Sequence, residues 1–348
     1  MIDVLVVGLG QMGISHALAY HADPGFRIVG LVNRSMPDLP EALRAYPLRH
    51  DYPAALGQLR PHLVCVATHS DSHADYAIAA IGAGAHVFVE KPLATTVADA
   101  RRVVADAQAA GRKLVVGYIL RHHPGWQRLI AEARDLGGPY VFRLNLNQQS
   151  SGPAWEVHKA LMRTTSPIVD CGVHYVDVMC QITDAAPVEV RGMGLRLSDE
   201  IAPDMYNYGH FQVLFDDGSV GWYEAGWGPM MSDTAFFVKD VVTPRGAVSI
   251  RMAEGARSDD IDTHTRTATL RVHRVGQGAQ DLSMAGEPGH QQLCDAEAAF
   301  VAHAIAEDLD LTRHMTDAVR SLAVCLAADH SVRTGLPVTL QGDARWDG

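Results

Sequence analysis

The first third of the chain alternates between short, nearly continuous apolar runs and longer stretches with helical periodicity. The apolar runs predict strands over 3–8, 27–32, 62–67, 86–89 and 113–117. The helical patterns lie at 11–21, 72–83 and 96–110, and Thr96 with Asp99 is typical of a capped helix start. Buried strands that alternate with helices predict βαβ units and a parallel sheet with both faces covered.

The pattern changes after Tyr118, where strands follow one another without intervening helices. Strands are predicted over 140–147, 188–196, 205–215, 219–227, 235–241 and 267–272. Helices are predicted over 125–136, 291–306 and 316–334, and Asp217-Gly218 indicates a hairpin. We therefore predict an α/β chain with two domains: 1–120 with a parallel sheet, and 121–348 as an antiparallel-rich α+β domain.

The predicted strand over 205–215 carries bulky side chains on both of its alternating faces. Met205, Phe211, Val213 and Phe215 share one face, and Tyr206, Tyr208 and Leu214 share the other. An antiparallel sheet normally leaves one face in water. The second bulky face therefore indicates either a cover supplied by another subunit or isolated surface aromatics.

Composition supports an ordinary globular protein of two domains. The 348 residues are 47% hydrophobic and 20% charged, which excludes a disordered chain. The net charge of −11 argues against nucleic acid as the main partner. No apolar run reaches the roughly 20 residues of a membrane helix, and we expect the first residues to form a strand and not a signal peptide.

The spacing of the cysteines and histidines predicts neither a disulfide framework nor a metal site. The five cysteines form no CxxC pair and their number is odd, so we expect reduced thiols in a cytoplasmic protein. The 18 histidines include no HxH or HExxH motif. No metal site is predicted.

The strongest motif is the run Val4-Leu5-Val6-Val7-Gly8-Leu9-Gly10-Gln11-Met12-Gly13, a strand followed by GxGxxG and a helix. Gly8 permits a tight turn, Gly10 lets the backbone approach a diphosphate, and Gly13 lets the helix pack on the strand. Gln11 and Met12 open the helix whose N-terminus attracts the anion. The alternative is a glycine-rich turn of another α/β protein.

The second predicted strand ends at Asn33, followed by Arg34 and Ser35. An NAD-selective site usually has an acid at this position to bind the ribose 2′-hydroxyl, and here the acid is absent. Arg34 can pair with a 2′-phosphate and Ser35 can donate to it. The pattern favours NADP over NAD, the alternative being an Arg34 that stacks on the adenine without selecting between them.

Further segments along the chain, in order after GxGxxG, resemble the Gfo/Idh/MocA oxidoreductases. They are Ala67-Thr68 with His73, Glu90-Lys91-Pro92, Val116-Gly117-Tyr118 with Arg121 and Pro124, and the DxGxHxxD segment from Asp170 to Asp177. The resemblance implies an N-terminal Rossmann domain and a C-terminal domain with a large open sheet, often buried between subunits of a homodimer or homotetramer. It also implies oxidation or reduction of a secondary alcohol or ketone on sugars, cyclitols and related polyols.

By the same resemblance, the family's catalytic lysine, aspartate and histidine correspond to Lys91, Asp170 and His174. Three departures leave the substrate open. His69 stands where the family usually has proline, His123 replaces a common aromatic residue, and Thr165-Ser166-Pro167 replaces a glycine pair.

Hydride transfer from an alcohol carbon requires a base for the hydroxyl proton, and the reverse reaction requires an acid. Lys91 follows a predicted parallel strand, at the edge where open α/β sheets bind ligands, and Pro92 after it is a candidate for a cis peptide bond. Asp170, His174 and Asp177 are spaced i, i+4, i+7 and share one face if helical. His174 titrates near neutrality, Asp170 can orient it, and Asp177 lies in the site, behind it or on the surface.

The base is left open between Lys91 and His174, because coupled groups share their titration. For Lys91 the alternative is an exposed ion pair with Glu90. For the other three residues it is a polar helix face with a core histidine.

The remaining candidates are assigned by position. Thr68 and Glu90 are expected near the nicotinamide ribose, and His73 either lines the nicotinamide pocket or lies on the surface. Tyr118, Arg121 and His158 are candidate substrate residues, and Trp155 is pocket wall or core.

The predicted function is an NAD(P)-dependent dehydrogenase or reductase of a sugar-like or cyclitol-like polyol. Two alternative functions are also considered. One is a redox-assisted glycoside-cleaving enzyme that recycles its nicotinamide, and the other is a non-catalytic nicotinamide sensor. The Lys91, Asp170 and His174 set argues against the sensor, which needs no proton-transfer groups.

Overall fold

The computed structural model describes residues 1–342, and these divide into two compact units. The first contains 1–119 and 289–319, and the second contains 120–288 and the chain from Arg320 onward. Residues 289–319, which the sequence analysis assigns to the second domain, thus lie in the first unit. The last part of the predicted second domain, 343–348, lies outside the described residues.

The elements of residues 1–119 alternate as the βαβ pattern predicts. They are β1 (Ile2–Val7), α1 (Gln11–Ala22), β2 (Phe26–Val32), β3 (Leu48–Arg49), α2 (Tyr52–Leu59), β4 (Leu63–Val66), α3 (His73–Gly82), β5 (His86–Val89), α4 (Val97–Ala109) and β6 (Leu114–Val116). The Thr96 hydroxyl accepts the Asp99 amide at 3.1 Å, which confirms the predicted cap of α4.

The rest of the chain carries most of the strands of a second sheet. Its elements are α5 (Pro124–Leu136), β7 (Val141–Gln149), α6 (Pro153–Leu161), α7 (Pro167–Ile182), β8 (Pro187–Leu195), β9 (Tyr208–Phe215), β10 (Val220–Gly228), β11 (Lys239–Thr243), β12 (Gly246–Arg251), α8 (Ile261–Thr265), β13 (Thr269–Arg274), β14 (Gly278–Ser283), α9 (His290–Ala306), α10 (Thr312–Thr334) and β15 (Val338–Thr339).

The first unit contains a six-stranded parallel sheet in the order β3-β2-β1-β4-β5-β6. This is the doubly wound order in which a dinucleotide binds where the strand order reverses, beside the carboxyl ends of β1 and β4. Val4 to Val7 in β1 are at most 1% exposed, so the glycine loop begins directly at a packed strand.

The second unit contains a nine-stranded sheet in the order β14-β13-β12-β11-β7-β10-β9-β8-β15. Only β7 and β10 pair in parallel; the other neighbours are antiparallel. One face, with Phe142 and Tyr223 fully buried, packs under helices that include α5 and α7. The predicted α/β fold with a large, mostly antiparallel second sheet is therefore confirmed.

Local side-chain bonds explain where the predicted elements were wrong. The strand expected over 235–241 begins only at Lys239, because the Asn145 amide group bonds the main chain of Phe236 and Val238. Tyr206 precedes β9 and is 5% exposed, with its hydroxyl 2.6 Å from Asp329 Oδ1. It therefore does not belong to the outer sheet face. Seven further elements were not predicted from the sequence: α2, α6, α8, β3, β12, β14 and β15.

All five cysteines are buried and none forms a disulfide. None of the helices between Met1 and Gly342 combines the length and hydropathy that crossing a membrane requires.

Candidate active site

The glycine loop after β1 leaves no room for side chains at two of its three glycines. A Cβ on Gly8, whose φ is +90°, would lie 2.3 Å from the Ala67 carbonyl oxygen, and one on Gly13 would lie 1.9 Å from that of Gly8. A Cβ on Gly10 would meet nothing within 4 Å, and the first turn of α1 contains no acid. The loop thus presents open space at a helix N-terminus that favours an anion. The predicted diphosphate residues lie together here: Gly8, Gly10, Gln11, Met12 and Gly13.

Asn33 at the end of β2 is bonded to this loop. Its Oδ1 accepts the Leu9 amide at 3.0 Å, and its Nδ2 donates to the Ser35 carbonyl at 2.9 Å. Arg34 and Ser35 are exposed beside it. The position that selects for the adenosine ribose therefore carries a neutral amide and an accessible guanidinium.

His73 connects the loops that follow β4 and β5. It is 1% exposed, with Nδ1 2.8 Å from the Pro92 carbonyl oxygen and Nε2 3.1 Å from that of Thr68. Burial lowers the pKa of His73, so the neutral ring has one N–H to donate to one of these carbonyls. The surface alternative for His73 is wrong. The Thr68 hydroxyl in turn lies 2.8 Å from the Ser72 hydroxyl.

The Glu90 side chain holds the start of the loop after β5. It is 6% exposed, and its Oε2 accepts the Lys91 amide at 3.2 Å. Its Oε1 lies 2.6 Å from Nε2 of His16, a residue of α1 that the sequence analysis did not select. A Cβ on Gly117 would lie 3.2 Å from the same Oε1, so a glycine there lets β6 pass the carboxylate. Lys91 is half-buried, and the Lys91–Pro92 bond is cis, as expected.

Helix α7 carries Asp170 and His174 on its least buried face. Thirteen of its 16 residues are buried; Asp170, His174 and Gln181 are not. The Ser166 hydroxyl accepts the Val169 amide at 3.3 Å and caps the helix start. The predicted helical spacing is therefore correct, and both candidate proton-transfer residues of the second unit are partly accessible on one face.

Asp177, one turn further, is fully buried and paired. Arg121 Nε donates to its Oδ2 at 2.9 Å and Nη2 to its Oδ1 at 2.5 Å, and Gln181 donates to Oδ2 at 2.9 Å. The Arg121 carbonyl accepts from the Gln127 side chain at 2.7 Å. Two candidate substrate residues thus bind each other, and Asp177 lies beneath the accessible face of α7. No short sequence motif signals this pair.

The other candidates lie in packed surroundings. His158 is 8% exposed and stacks on Trp227 with ring centroids 4.4 Å apart, while its Nδ1 lies 2.8 Å from the Ser150 hydroxyl. Trp155 is 5% exposed and donates to Glu200 at 3.2 Å. Tyr118, in the first unit, is fully buried.

The predicted site residues fall into two sets. The dinucleotide residues, Lys91 and Tyr118 belong to the first unit, and the rest belong to the second. His16 was missed because a single histidine in an apolar helix carries no motif. Its separation from Glu90 by 74 residues also hides their contact from sequence periodicity.

Two family models match the chain. Residues 2–118 match one described as an oxidoreductase family with an NAD-binding Rossmann fold. Residues 127–238 match the GFO/IDH/MocA C-terminal domain.

Curated relatives and solved structures agree with these matches. An inositol 2-dehydrogenase from Salmonella typhimurium is 28% identical over 182 residues, which are 50% of this chain and 52% of that protein. The match thus spans about half the length of that relative. A 1,5-anhydro-D-fructose reductase from Ensifer adhaerens is 28% identical over 267 residues, 71% of this chain and 79% of the reductase. An oxidoreductase domain protein from Kribbella flavida has the same fold, with a TM-score of 0.82, 22% identity, and coverage of 98% of this chain and 99% of that chain.

Proposed function

Because the chain belongs to the Gfo/Idh/MocA oxidoreductase family, we propose that it transfers a hydride between a nicotinamide dinucleotide and a secondary alcohol or ketone of a sugar-like or cyclitol-like polyol. The observation that carries this proposal is the glycine loop with open space at Gly10 in the same unit as Lys91, at the carboxyl edge of a parallel sheet. The names of the inositol dehydrogenase and anhydrofructose reductase relatives support the substrate class.

The residues present fit a dinucleotide. Gly8 and Gly13 close the loop around the start of α1, and the space at Gly10 admits a diphosphate there. Thr68 and Glu90 would contact the nicotinamide ribose, and His73 would fix the two loops that carry them. When bound, the nicotinamide ring supplies or accepts the hydride.

NADP is the proposed preference over NAD. Asn33 places a neutral amide, and not a carboxylate, beside the adenosine ribose. This amide is bonded to Leu9 and Ser35. The exposed Arg34 guanidinium would pair with a 2′-phosphate, with Ser35 as a second donor.

Proton transfer is assigned to Lys91 and His174, either of which can act as the base. Glu90 holds the main chain of Lys91, and Asp170 lies one turn before His174 on the accessible face of α7 and would orient it. Arg121 and Asp177 form an ion pair with each other, so we assign them the role of stabilising α7. His158, fixed by its Trp227 stack, is the proposed pocket residue.

A homodimer or homotetramer through the open sheet is also proposed. Val141, Leu214 and Val220 are paired neighbours on the outer face of β7, β9 and β10, and each is 41% exposed. Met193 and Leu195 extend this face on β8, each 55% exposed. Light scattering of the purified protein measures the assembly.

The function is tested by screening the purified protein with NADP and NAD against a panel of cyclitols and sugars. We expect polyol-dependent change in nicotinamide absorbance, larger with NADP. Lys91→Met is expected to bind NADPH normally and to lower turnover by about 10²-fold or more, since a proton-transfer group is lost.

Lys113→Met is the matched control, because Lys113 precedes β6 at the opposite edge of the sheet. Near-normal turnover of Lys91→Met would contradict the proposal. Product without net nicotinamide reduction would indicate the glycoside-cleaving alternative instead, and tight binding without turnover would indicate the sensor.

A further inference from the structure

Helix α9 buries a carboxyl group that has no hydrogen-bond partner among residues 1–342. Glu297 is 1% exposed, and neither of its carboxyl oxygens is bonded by any described residue. An ionised carboxylate in such a place carries a desolvation penalty of several kcal/mol unless a partner compensates it. The state of this group therefore depends on what surrounds it.

The titratable neighbours of Glu297 that the structure shows come from four elements of the first unit. His16 and Tyr20 face it from α1, Cys65 from β4, Glu90 from the end of β5, and Cys294 from α9 itself. The ligand atoms of His16, Cys294 and Glu297 lie within 4.8 Å of one another. None of these neighbours is a lysine or arginine.

Two donors of this cluster are directed to Glu90 and none of the described donors bonds Glu297. His16 Nε2 lies 2.6 Å from its Oε1, and the Lys91 amide donates to its Oε2. Two neighbouring buried carboxyl groups do not both ionise readily, and the one with hydrogen-bond donors keeps the charge. Burial, followed by the charge of Glu90, holds the pKa of Glu297 well above its ordinary value.

We propose that Glu297 is a positioning residue for Lys91: it remains an uncharged carboxylic acid and thereby leaves the negative charge of the cluster on Glu90, which holds the Lys91 main chain. This inference rests on the proposed function of Lys91. Ionisation of Glu297 at alkaline pH places a second negative charge beside Glu90. It draws the His16 proton away from Glu90 and loosens the loop that would contact the nicotinamide ribose.

A metal ion is the competing explanation for a His, Cys and Glu cluster. The short His16–Glu90 contact argues against it, because the Nε2 atom of His16 is already engaged. Burial also raises the pKa of the Cys294 thiol, which keeps it protonated in the absence of a metal.

The test uses Glu297→Gln, an uncharged side chain of the same shape. Infrared difference spectra of wild type against Glu297→Gln at neutral pH should show the carbonyl stretch of a protonated carboxylic acid in the wild type. NADPH affinity, followed by its fluorescence from about pH 6 to about pH 10, should be equal within about twofold for the two proteins at the acid end. Above the titration of Glu297 the wild-type affinity should fall by up to about tenfold per pH unit, whereas Glu297→Gln should stay level.

Glu307→Gln is the matched control, because Glu307 is exposed just after the same helix; it should follow the wild type throughout. Glu297→Met repeats the test with an apolar side chain if Glu297→Gln fails to fold. Parallel pH curves for wild type and variant, as a purely structural role gives, would overturn the inference. So would a missing carbonyl band, or one equivalent of metal that co-purifies with the wild type and is lost in Glu297→Gln.

These readouts do not depend on turnover. If Lys91→Met keeps its activity while the infrared band and the pH curves behave as stated, the proposed function fails and the charge state of Glu297 stands.

Discussion

Asp177 in the second unit and Glu297 in the first are equally buried, yet their surroundings are opposite. Asp177 accepts two bonds from Arg121 and one from Gln181. Glu297 accepts none from the described part of the chain and has Glu90 as a neighbour. Burial raises the pKa of Glu297 and no described donor offsets it, whereas at Asp177 an arginine and an amide donate to the carboxylate. Two equally buried carboxyl groups therefore differ in the donors that face them.

The same contrast extends to other buried polar groups. Lys239 in β11 is 1% exposed and donates to the His264 carbonyl at 2.6 Å, with its Nζ 5.3 Å from the ring centres of Trp126 and Phe237. Burial lowers the pKa of Lys239 to about 7. This amine, like Glu297, is buried where its charged form is disfavoured.

The largest effect on stability is expected from separating Arg121 and Asp177. Arg121→Met leaves a fully buried carboxylate without its cation and should lower the free energy of unfolding by about 3–5 kcal/mol. Urea denaturation measures this. Arg128→Met removes a half-exposed guanidinium and leaves Glu132 paired with Arg274, so it should cost about 0.5 kcal/mol or less. Equal costs for the two variants would mean that the buried pair is not special.

A pH-dependent effect is expected at Lys239. Its pKa is about 7 in the fold and about 10.5 when unfolded, so between these values the unfolded chain binds more protons. The contribution of the neutral amine to the free energy of unfolding is therefore fully present near pH 10.5. It is lost progressively as the pH falls to about 7.

Lys239→Met has no amine to titrate, so it does not lose stability in this way. Its free energy of unfolding should therefore rise relative to that of the wild type by up to about 1.4 kcal/mol per pH unit as the pH falls through that window. Urea denaturation at several pH values measures it, and Lys159→Met, at a half-buried position whose amine pairs with Glu156 and Glu200, should differ from the wild type by a constant amount over this window. A constant difference between Lys239→Met and the wild type would show that Lys239 stays charged in the fold.

The smallest effect on stability is expected from removing the hydroxyl group of a buried tyrosine, Tyr206 or Tyr20. The Tyr206 hydroxyl bonds Asp329 and lies 2.9 Å from the Ser166 hydroxyl, whereas the Tyr20 hydroxyl faces the Cys65 thiol, a weak partner, and bonds no nitrogen or oxygen atom of the described residues. Tyr206→Phe should lower the free energy of unfolding by about 1–2 kcal/mol and Tyr20→Phe by about zero. Thermal unfolding of the two variants side by side checks the order, and the reverse order would refute the assignment of partners.

The sequence predicted what depends on local pattern. The first five main strands, the glycine loop, the Thr96 cap and the helical spacing of Asp170 and His174 all follow from residues close together in the chain. The same motifs allowed the family to be identified. The position of Lys91 after β5 was predicted for the same reason.

What the sequence did not predict depends on distant side chains. The pairing of Arg121 with Asp177 spans 56 residues and leaves no periodic signal. The His16–Glu90 contact depends on how α1 packs against the parallel sheet, and the approach of Glu297 depends on how α9 packs against α1. Similarly, the strand over 235–238 fails to form because of one amide group, that of Asn145, on a neighbouring strand.

The first unit is discontinuous, and this has a consequence for how the protein is made. Gln291 of α9 donates to the Ser15 carbonyl of α1, and Leu293, Ala298 and Val301 are buried on the same helix. All six strands of the parallel sheet have left the ribosome long before residue 289 is synthesised. Until α9 emerges, the nascent dinucleotide unit exposes the apolar surface that this helix covers, so the unit is completed only after the whole second sheet except β15 has been synthesised.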